Sequence, residues 1–423
     1  MSKNFKIQFI FQVTSIKILK LFKRMNNTLK LDKAYLFLWV AFAFFLPFSK
    51  ALPNLLLIPI SIIFLFSSKY KQINFSWKNG FLFLIISVAW ITVSTIIQGG
   101  VEDTLKILSK FYLLIGIFFL VKSLDRNSFT VLYGFIGGSI MQFLISTYSI
   151  TKFYLENGYI KLDTGKGVNE ILHGERPYIG FMFALSILFS LFIIRKFKYQ
   201  WLYIWVGLAT GFVFYISARL ATGMCILILI HHTYEVFKKR RAFFFIISFV
   251  LASLTAVGFF LNENFQKRMR LEDDLGSTYE KFKAYEPRFI IWSCAIEVSH
   301  DMRPIFGFGN LKTIKNNLVN CYSSKINNNQ KSKLKYYRQT AFNTHNQFFS
   351  FFLLGGWTAC LLLILFFLFS FYGSNSILYT MTLAMFLIFF IFENVLYRQL
   401  GTQLAGLLFG LLNTKSLMKY KKI

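Results

Sequence analysis

The chain has 423 residues, of which 55% are hydrophobic and only 15% charged, and its formal net charge is +29. Soluble domains carry about 25% charged residues, so this composition excludes an ordinary water-soluble enzyme. In a soluble protein the cationic surplus would suggest nucleic-acid binding, but here the cations lie between long apolar runs, which makes them topology signals and leaves no nucleic-acid partner.

Met1–Lys33 is basic, and its apolar pieces are broken by Lys17, Lys20, Lys23 and Arg24. It lacks the apolar core and cleavage site of a signal peptide and reads as a cytoplasmic segment lying on an anionic leaflet. Crossing a hydrocarbon layer about 30 Å thick takes roughly 20 apolar residues per helix. Apolar length gives about twelve spans: 34–48, 51–66, 80–97, 107–121, 129–150, 178–194, 200–217, 218–232, 242–261, 345–371, 375–392 and 396–414. Pro47, Pro53 and Pro59 shorten or kink the first two, which is tolerated where neighbouring helices satisfy the freed backbone groups. The expected class is therefore an all-α polytopic membrane protein. Its divisions are a basic segment 1–33, spans over 34–261, a large outer loop 262–344, further spans over 345–414 and a basic tail 415–423.

With a cytoplasmic N-terminus, the inner connections hold 24 Lys and Arg against nine in the outer connections apart from the long loop. The positive-inside rule then puts both termini in the cytoplasm and the long loop outside. Residues 262–344 carry 14 basic and 8 acidic residues, and form the one stretch polar and long enough to build structure outside the membrane. The second part of this loop is rich in Asn, Ser and Lys. No internal repeat is visible, which weakens an inverted-repeat transporter. The four cysteines show no metal-type spacing with the five histidines, so no zinc site is expected. Cys294 and Cys321 share the outer loop, where a disulfide is chemically possible, but two isolated thiols are the preferred reading.

Four features on the outer side stand apart from the apolar background. Tyr215-Ile-Ser-Ala-Arg219 places an arginine in a tight turn between spans; a guanidinium at the centre of a spanning helix would cost about 2.5–3.5 kcal/mol. It is either functional or snorkelling to the headgroups. Pro287-Arg288-Phe289-Ile290-Ile291-Trp292 opens a helix, with proline at its start, and is followed by the turn Phe306-Gly307-Phe308-Gly309-Asn310. That turn follows no strand and opens no long helix, so it is not a dinucleotide fingerprint. His345-Asn346 stands where the loop enters the tenth span, with Gly355-Gly356 ten residues on. The histidine is a candidate general base near neutral pH, against the bland reading of a helix cap. Glu393 and Arg398 lie in the last outer turn and read as a local ion pair. Arg176, in His173-Gly-Glu-Arg-Pro-Tyr178, shares the ambiguity of Arg219. His231 and His232, beside Lys238–Arg241, read as a solvated inner face.

The order of an arginine after a serine, then Arg288-x-x-x-Trp292, Gly309 and His345-Asn346 resembles the bacterial O-antigen ligase and polymerase superfamily, over roughly 205–415. The usual Ser-Arg pair appears as Ser217-Ala218-Arg219, and a later glycine is replaced by Gly355-Gly356. The resemblance implies a GT-C-like, cofactor-free and metal-independent glycosyltransferase of about twelve spans in the bacterial inner membrane, facing the periplasm. Its donor would be a polyprenyl-diphosphate-linked glycan and its acceptor the lipid A-core or another glycan, both reached among membrane lipids. By position, Arg219 and Arg288 would bind the diphosphate with Arg176 as a weaker third, and His345 would be the catalytic base. Asn346, Trp292, Glu393 and Arg398 would support them. A polysaccharide polymerase is the close alternative, kept open by the outer segment 151–177. A lipid-linked glycan flippase is the alternative of another class, and would be expected to show charges inside several spans and two similar halves.

Overall fold

The computed structural model describes residues 31–67, 80–124, 128–159, 166–247, 286–326, 330–374 and 376–414, with positions 249, 253 and 417 besides. The described residues form helices and turns, with one isolated bridge between Arg303 and Gly307. In chain order the helices are α1 (31–45), α2 (Leu52–Phe66), α3 (Phe81–Ile97), α4 (Val101–Lys122), α5 (Phe129–Asn157), α6 (Lys166–Ile171), α7 (Arg176–Phe197), α8 (Leu202–Tyr215) and α9 (Arg219–Phe237). They continue as α10 (Pro287–Val298), α11 (Leu311–Lys325), α12 (Lys331–Thr340), α13 (Gln347–Tyr372), α14 (Ile377–Phe392) and α15 (Gln399–Leu412). The protein is all-helical, as the composition and run lengths led one to expect.

Among the described residues, α4, α5, α7, α9 and α13 are long and apolar enough to cross a membrane, and α2, α3, α8, α14 and α15 are shorter apolar helices. Each span expected from the sequence coincides with a helix except 242–261, of which 242–247 is described and helical. Most of the basic segment 1–33, the tail 415–423 and the first part of the outer loop lie outside the described residues.

Packing explains the arrangement. The apolar window of α7 is 89% buried, against 56% or less for the other long helices, so α7 is the central one and is apolar all round, as a buried helix must be. It packs on α5, α8 and α9, while α3 runs along α13 and α4 along α15. Lipid supplies no hydrophobic drive between helices, so close backbone approach through small residues takes its place. Gly134 and Gly138 on α5 do this against α1: a Cβ on Gly138 would run into the Phe44 carbonyl.

The glycine pairs noticed separately in the sequence meet in space. Gly356 adopts φ 71 and ψ −169 and breaks α13, which frees the carbonyls of Leu353 and Leu354. Phe308 N donates to Leu353 O at 2.8 Å and Gly309 N to Leu354 O at 3.0 Å, while Trp357 N donates to Pro304 O at 2.8 Å. The turn 306–310 thus plugs a gap in a spanning helix, satisfying backbone groups that lipid could not. Gly307 is required by this fit, because a Cβ there would lie 2.6 Å from Gly356 N.

Beyond the turn, Asn310 caps α11 by accepting from Lys312 N and Thr313 N at 2.8 and 3.1 Å. Cys294 on α10 and Cys321 on α11 form a disulfide, with Cα atoms 5.7 Å apart; the reading of two isolated thiols is overturned because both face the same helix–helix seam. The bridge spans 27 residues, a closure that stabilises by roughly 3–4 kcal/mol in the chain-entropy model. The Cys294→Ser/Cys321→Ser variant is expected to unfold at lower temperature in detergent, and mass analysis after alkylation without reductant should find two protected thiols in the wild type. Four alkylated cysteines would contradict the bridge.

Candidate active site

The chemistry-bearing side chains stand at helix ends. Arg176 is the first residue of α7, where its backbone N–H donates to Asn169 Oδ1 at 3.2 Å. Arg219 is the first residue of α9, behind a turn in which Ser217 has φ 53, an uncommon conformation for a residue with a side chain. Arg288 follows Pro287 at the start of α10, where proline's fixed φ and missing N–H are at no disadvantage. Glu393 ends α14. His345, with φ 44, precedes the cap Asn346, whose Oδ1 accepts from Phe349 N at 3.0 Å.

Arg176, Ser217, Arg219, Glu286, Arg288, Trp292 and Glu393 are among the residues lining one cavity of about 440 Å³. Helix N-termini add positive potential to the three arginines. The carboxylate of Glu286 is shared: Arg219 Nη2 donates to Oε2 at 3.0 Å and Arg288 Nη1 to Oε1 at 2.7 Å. Arg288 continues through Nη2 to Glu393 Oε1 at 2.9 Å and to Phe392 O at 3.1 Å. Glu393 Oε2 in turn lies 3.1 Å from His345 Nδ1. An alternating chain Arg219–Glu286–Arg288–Glu393–His345 results. Its two carboxylates are 12% and 13% exposed, so solvent screens these pairs less than surface ones.

Burial opposes the charge on Glu286, but Arg288 and Arg219 outweigh it and hold the carboxyl below its usual range. At neutral pH it is an anion. Donation from His345 Nδ1 to Glu393 leaves Nε2 as the acceptor, the arrangement by which a carboxylate sets an imidazole's tautomer. His345 does not line the cavity itself and joins the site through Glu393. Its ring packs 5.8 Å from Phe342.

Most of these groups stand out in the sequence, but some of their partners differ from those expected. Glu393 and Arg398 are not a local pair: Glu393 belongs to Arg288 and His345, and Arg398 reaches Glu175 at 3.3 Å with both side chains substantially exposed. Such a pair is worth about 0–1 kcal/mol. The 3-10 turn Val395–Tyr397 separates the two residues. Trp292 lines the cavity and donates from Nε1 to Thr344 O at 3.1 Å, tying α10 to the segment that leads into His345. Asn346 is a helix cap. Glu286, Glu175 and Thr344 were missed; the signal for Glu286 was an acid directly before the Pro287-Arg288 pair. His231 and His232 line a second, small cavity of about 60 Å³ with Arg195 and Glu235, at the other ends of α7 and α9. Among the described residues no group of three or more His, Cys, Asp and Glu is placed to hold a metal ion.

These apolar helices define a polytopic α-helical membrane protein, with a cavity lined by three arginines and two glutamates at the helix ends. Residues 208–364 match the family described as O-Antigen ligase, which bears out the resemblance read from the motifs. That stretch contains Arg219, Glu286, Arg288 and His345, whereas Arg176, Glu393 and Arg398 lie outside it. No curated protein matches the chain.

The depressed carboxyl of Glu286 has a pH consequence. Its ion pairs stabilise fully above the ordinary value of 4.5 and are lost as pH falls through the lower folded value. Wild type is expected to melt above Glu286→Gln at pH 7, with the difference shrinking on acidification below 4.5; thermal unfolding across pH checks this. A difference independent of pH would place the stabilisation elsewhere.

Proposed function

We propose that the protein is an O-antigen ligase-like glycosyltransferase that moves a glycan from a polyprenyl-diphosphate carrier to a sugar hydroxyl of the lipid A-core. The observation that carries this reading is one cavity in which Arg219 and Arg288 share an anion while Glu393 links Arg288 to His345. Membrane-spanning helices suit a lipid-linked donor, and the match over 208–364 supports the glycosyltransferase class. The expected twelve spans and GT-C-like form, with divisions at 34–261, 262–344 and 345–414, belong to the same proposal.

In this reading each residue has a chemical role. The acceptor hydroxyl attacks the anomeric carbon as the carbon–oxygen bond to diphosphate breaks, and the diphosphate leaves with the electron pair. Guanidinium groups meet its oxygens in bidentate geometry and stay charged in an apolar surrounding. Arg219 and Arg288, with Arg176 beside them, thereby stabilise the leaving anion. The hydroxyl proton passes to His345 Nε2, while Glu393 holds the imidazole and stabilises its charged form. In-line displacement inverts the anomeric centre. Arginines do the neutralising that a metal would otherwise do, so the reading assigns no metal role.

An outer, periplasmic site and cytoplasmic termini are part of the proposal. Two observations support it: the inward bias of Lys and Arg, and the disulfide in the 262–344 loop, since such bonds persist in oxidising compartments. A polymerase, adding the same donor to another lipid-linked glycan, is favoured by one feature, the contribution of Arg176 to the cavity from the earlier outer segment.

His345→Ala is expected to lower transfer about 10²–10⁴-fold, the usual worth of a general base, with donor binding retained; transfer at the wild-type rate would remove His345 from this role. Deleting the gene and resolving surface polysaccharide and lipid-linked intermediates on gels separates the classes. Long chains on the carrier with bare lipid A-core mark a ligase. Core bearing a single repeat marks a polymerase, and two unchanged pools would return a transporter to the front.

A further inference from the structure

Glu286 is the charged group lining the cavity that the proposed transfer chemistry does not use. Its two oxygens bridge Nη2 of Arg219 and Nη1 of Arg288 at 3.0 and 2.7 Å, as two oxygens of one phosphoryl group would. The carboxylate is 12% exposed and opens onto the cavity. Arg288 has further anchors in Glu393 and Phe392 O, and so keeps its place without Glu286. Among the described residues, Glu286 is the ion-pair partner of Arg219.

We propose that Glu286 is a resident anion that occupies the diphosphate seat between Arg219 and Arg288, is displaced when the donor binds, and returns when the carrier diphosphate leaves. The inference rests on the diphosphate reading of these arginines. Two fixed guanidinium groups at one cavity repel each other when bare, and the internal carboxylate neutralises them in the empty protein. The binding-competent state, with Glu286 swung out, is then a fraction of the population, and the apparent affinity of any oxyanion falls by that fraction. Free phosphates are weakened below useful occupancy, whereas a donor that also gains lipid and glycan contacts still binds. The same competition speeds release of the spent carrier.

Occupancy by a bridging carboxylate differs from simple charge repulsion in one respect. Aspartate keeps the charge but is one methylene shorter, and does not span both guanidinium groups from the same backbone position. The test is calorimetric binding of inorganic pyrophosphate to the full-length protein in nanodiscs, comparing wild type with Glu286→Gln, Glu286→Asp, Arg219→Ala and Arg288→Ala, each checked for folding by its melting curve. Glu286→Gln is expected to tighten pyrophosphate binding about tenfold, a free-energy change of about 1.4 kcal/mol. Glu286→Asp should behave like Glu286→Gln, and Gln at 286 should have no effect once Arg219 and Arg288 are both Ala. Wild type failing to bind while Glu286→Gln binds would support displacement equally.

The outcomes separate the two layers. Binding in Glu286→Gln no tighter than in wild type, together with loss in Arg219→Ala, overturns the resident anion and keeps the diphosphate seat. Tightening in Glu286→Gln with wild-type behaviour in Glu286→Asp overturns occupancy in favour of plain repulsion. Binding indifferent to Arg219 and Arg288, or absent from every variant, overturns the seat and the inference with it.

Discussion

A guanidinium group beside the apolar part of a membrane protein needs a partner for its charge, and this requirement organises the site. Arg219 and Arg288 satisfy it through one carboxylate, Glu286, and Arg288 a second time through Glu393. Arg219 opens α9, Glu286 and Arg288 stand at the start of α10 and Glu393 directly follows α14, so the ion pairs tie α9, α10 and α14 together at one side of the bundle. An apolar spanning segment has no internal use for charges, and the cations and anions that remain are forced to helix ends. There they meet whichever other ends the packing brings near.

The bundle is held to that geometry by backbone more than by side-chain polarity. α7 runs through the middle with its surface covered by neighbours, and Arg176 is set at its end by that position. The break in α13 at Gly356 and the plug formed by residues 306–310 anchor the extramembrane helices to the membrane part. The disulfide between α10 and α11 adds a covalent tie to the helix that carries Arg288 and Trp292. A site assembled from helix ends acquires rigidity from these attachments, which is what the proposed electrostatic stabilisation of a leaving anion would require.

The individual functional groups were largely visible as exceptions to composition. Arg219, Arg288, His345 and Glu393 stood out because charges are rare beside apolar runs, and the spacing from Arg288 to His345 carried the family resemblance later matched over 208–364. Their partners were less visible. Glu393 and Arg398, five positions apart, looked like natural partners, yet the intervening 3-10 turn sends them to different neighbours. Glu286 was passed over because an acid before Pro287 in a mixed-charge loop has no local distinction; its meaning depends on Arg219, 67 positions away in sequence. Cys294 and Cys321 carried no spacing pattern, and their pairing follows from two helices lying side by side.

Run length, composition and the position of charges were enough by themselves to determine an all-helical membrane protein, the approximate limits of its helices and the short list of residues with chemistry to offer. These are one-dimensional properties: hydrocarbon thickness translates directly into a length of apolar chain, and desolvation cost excludes charges from it. Which of those residues meet was decided by tertiary structure. Ion pairing acts over a few ångströms between groups tens to hundreds of positions apart, and helix packing, the Gly356 break and the loop plug determine which helix ends come within that reach.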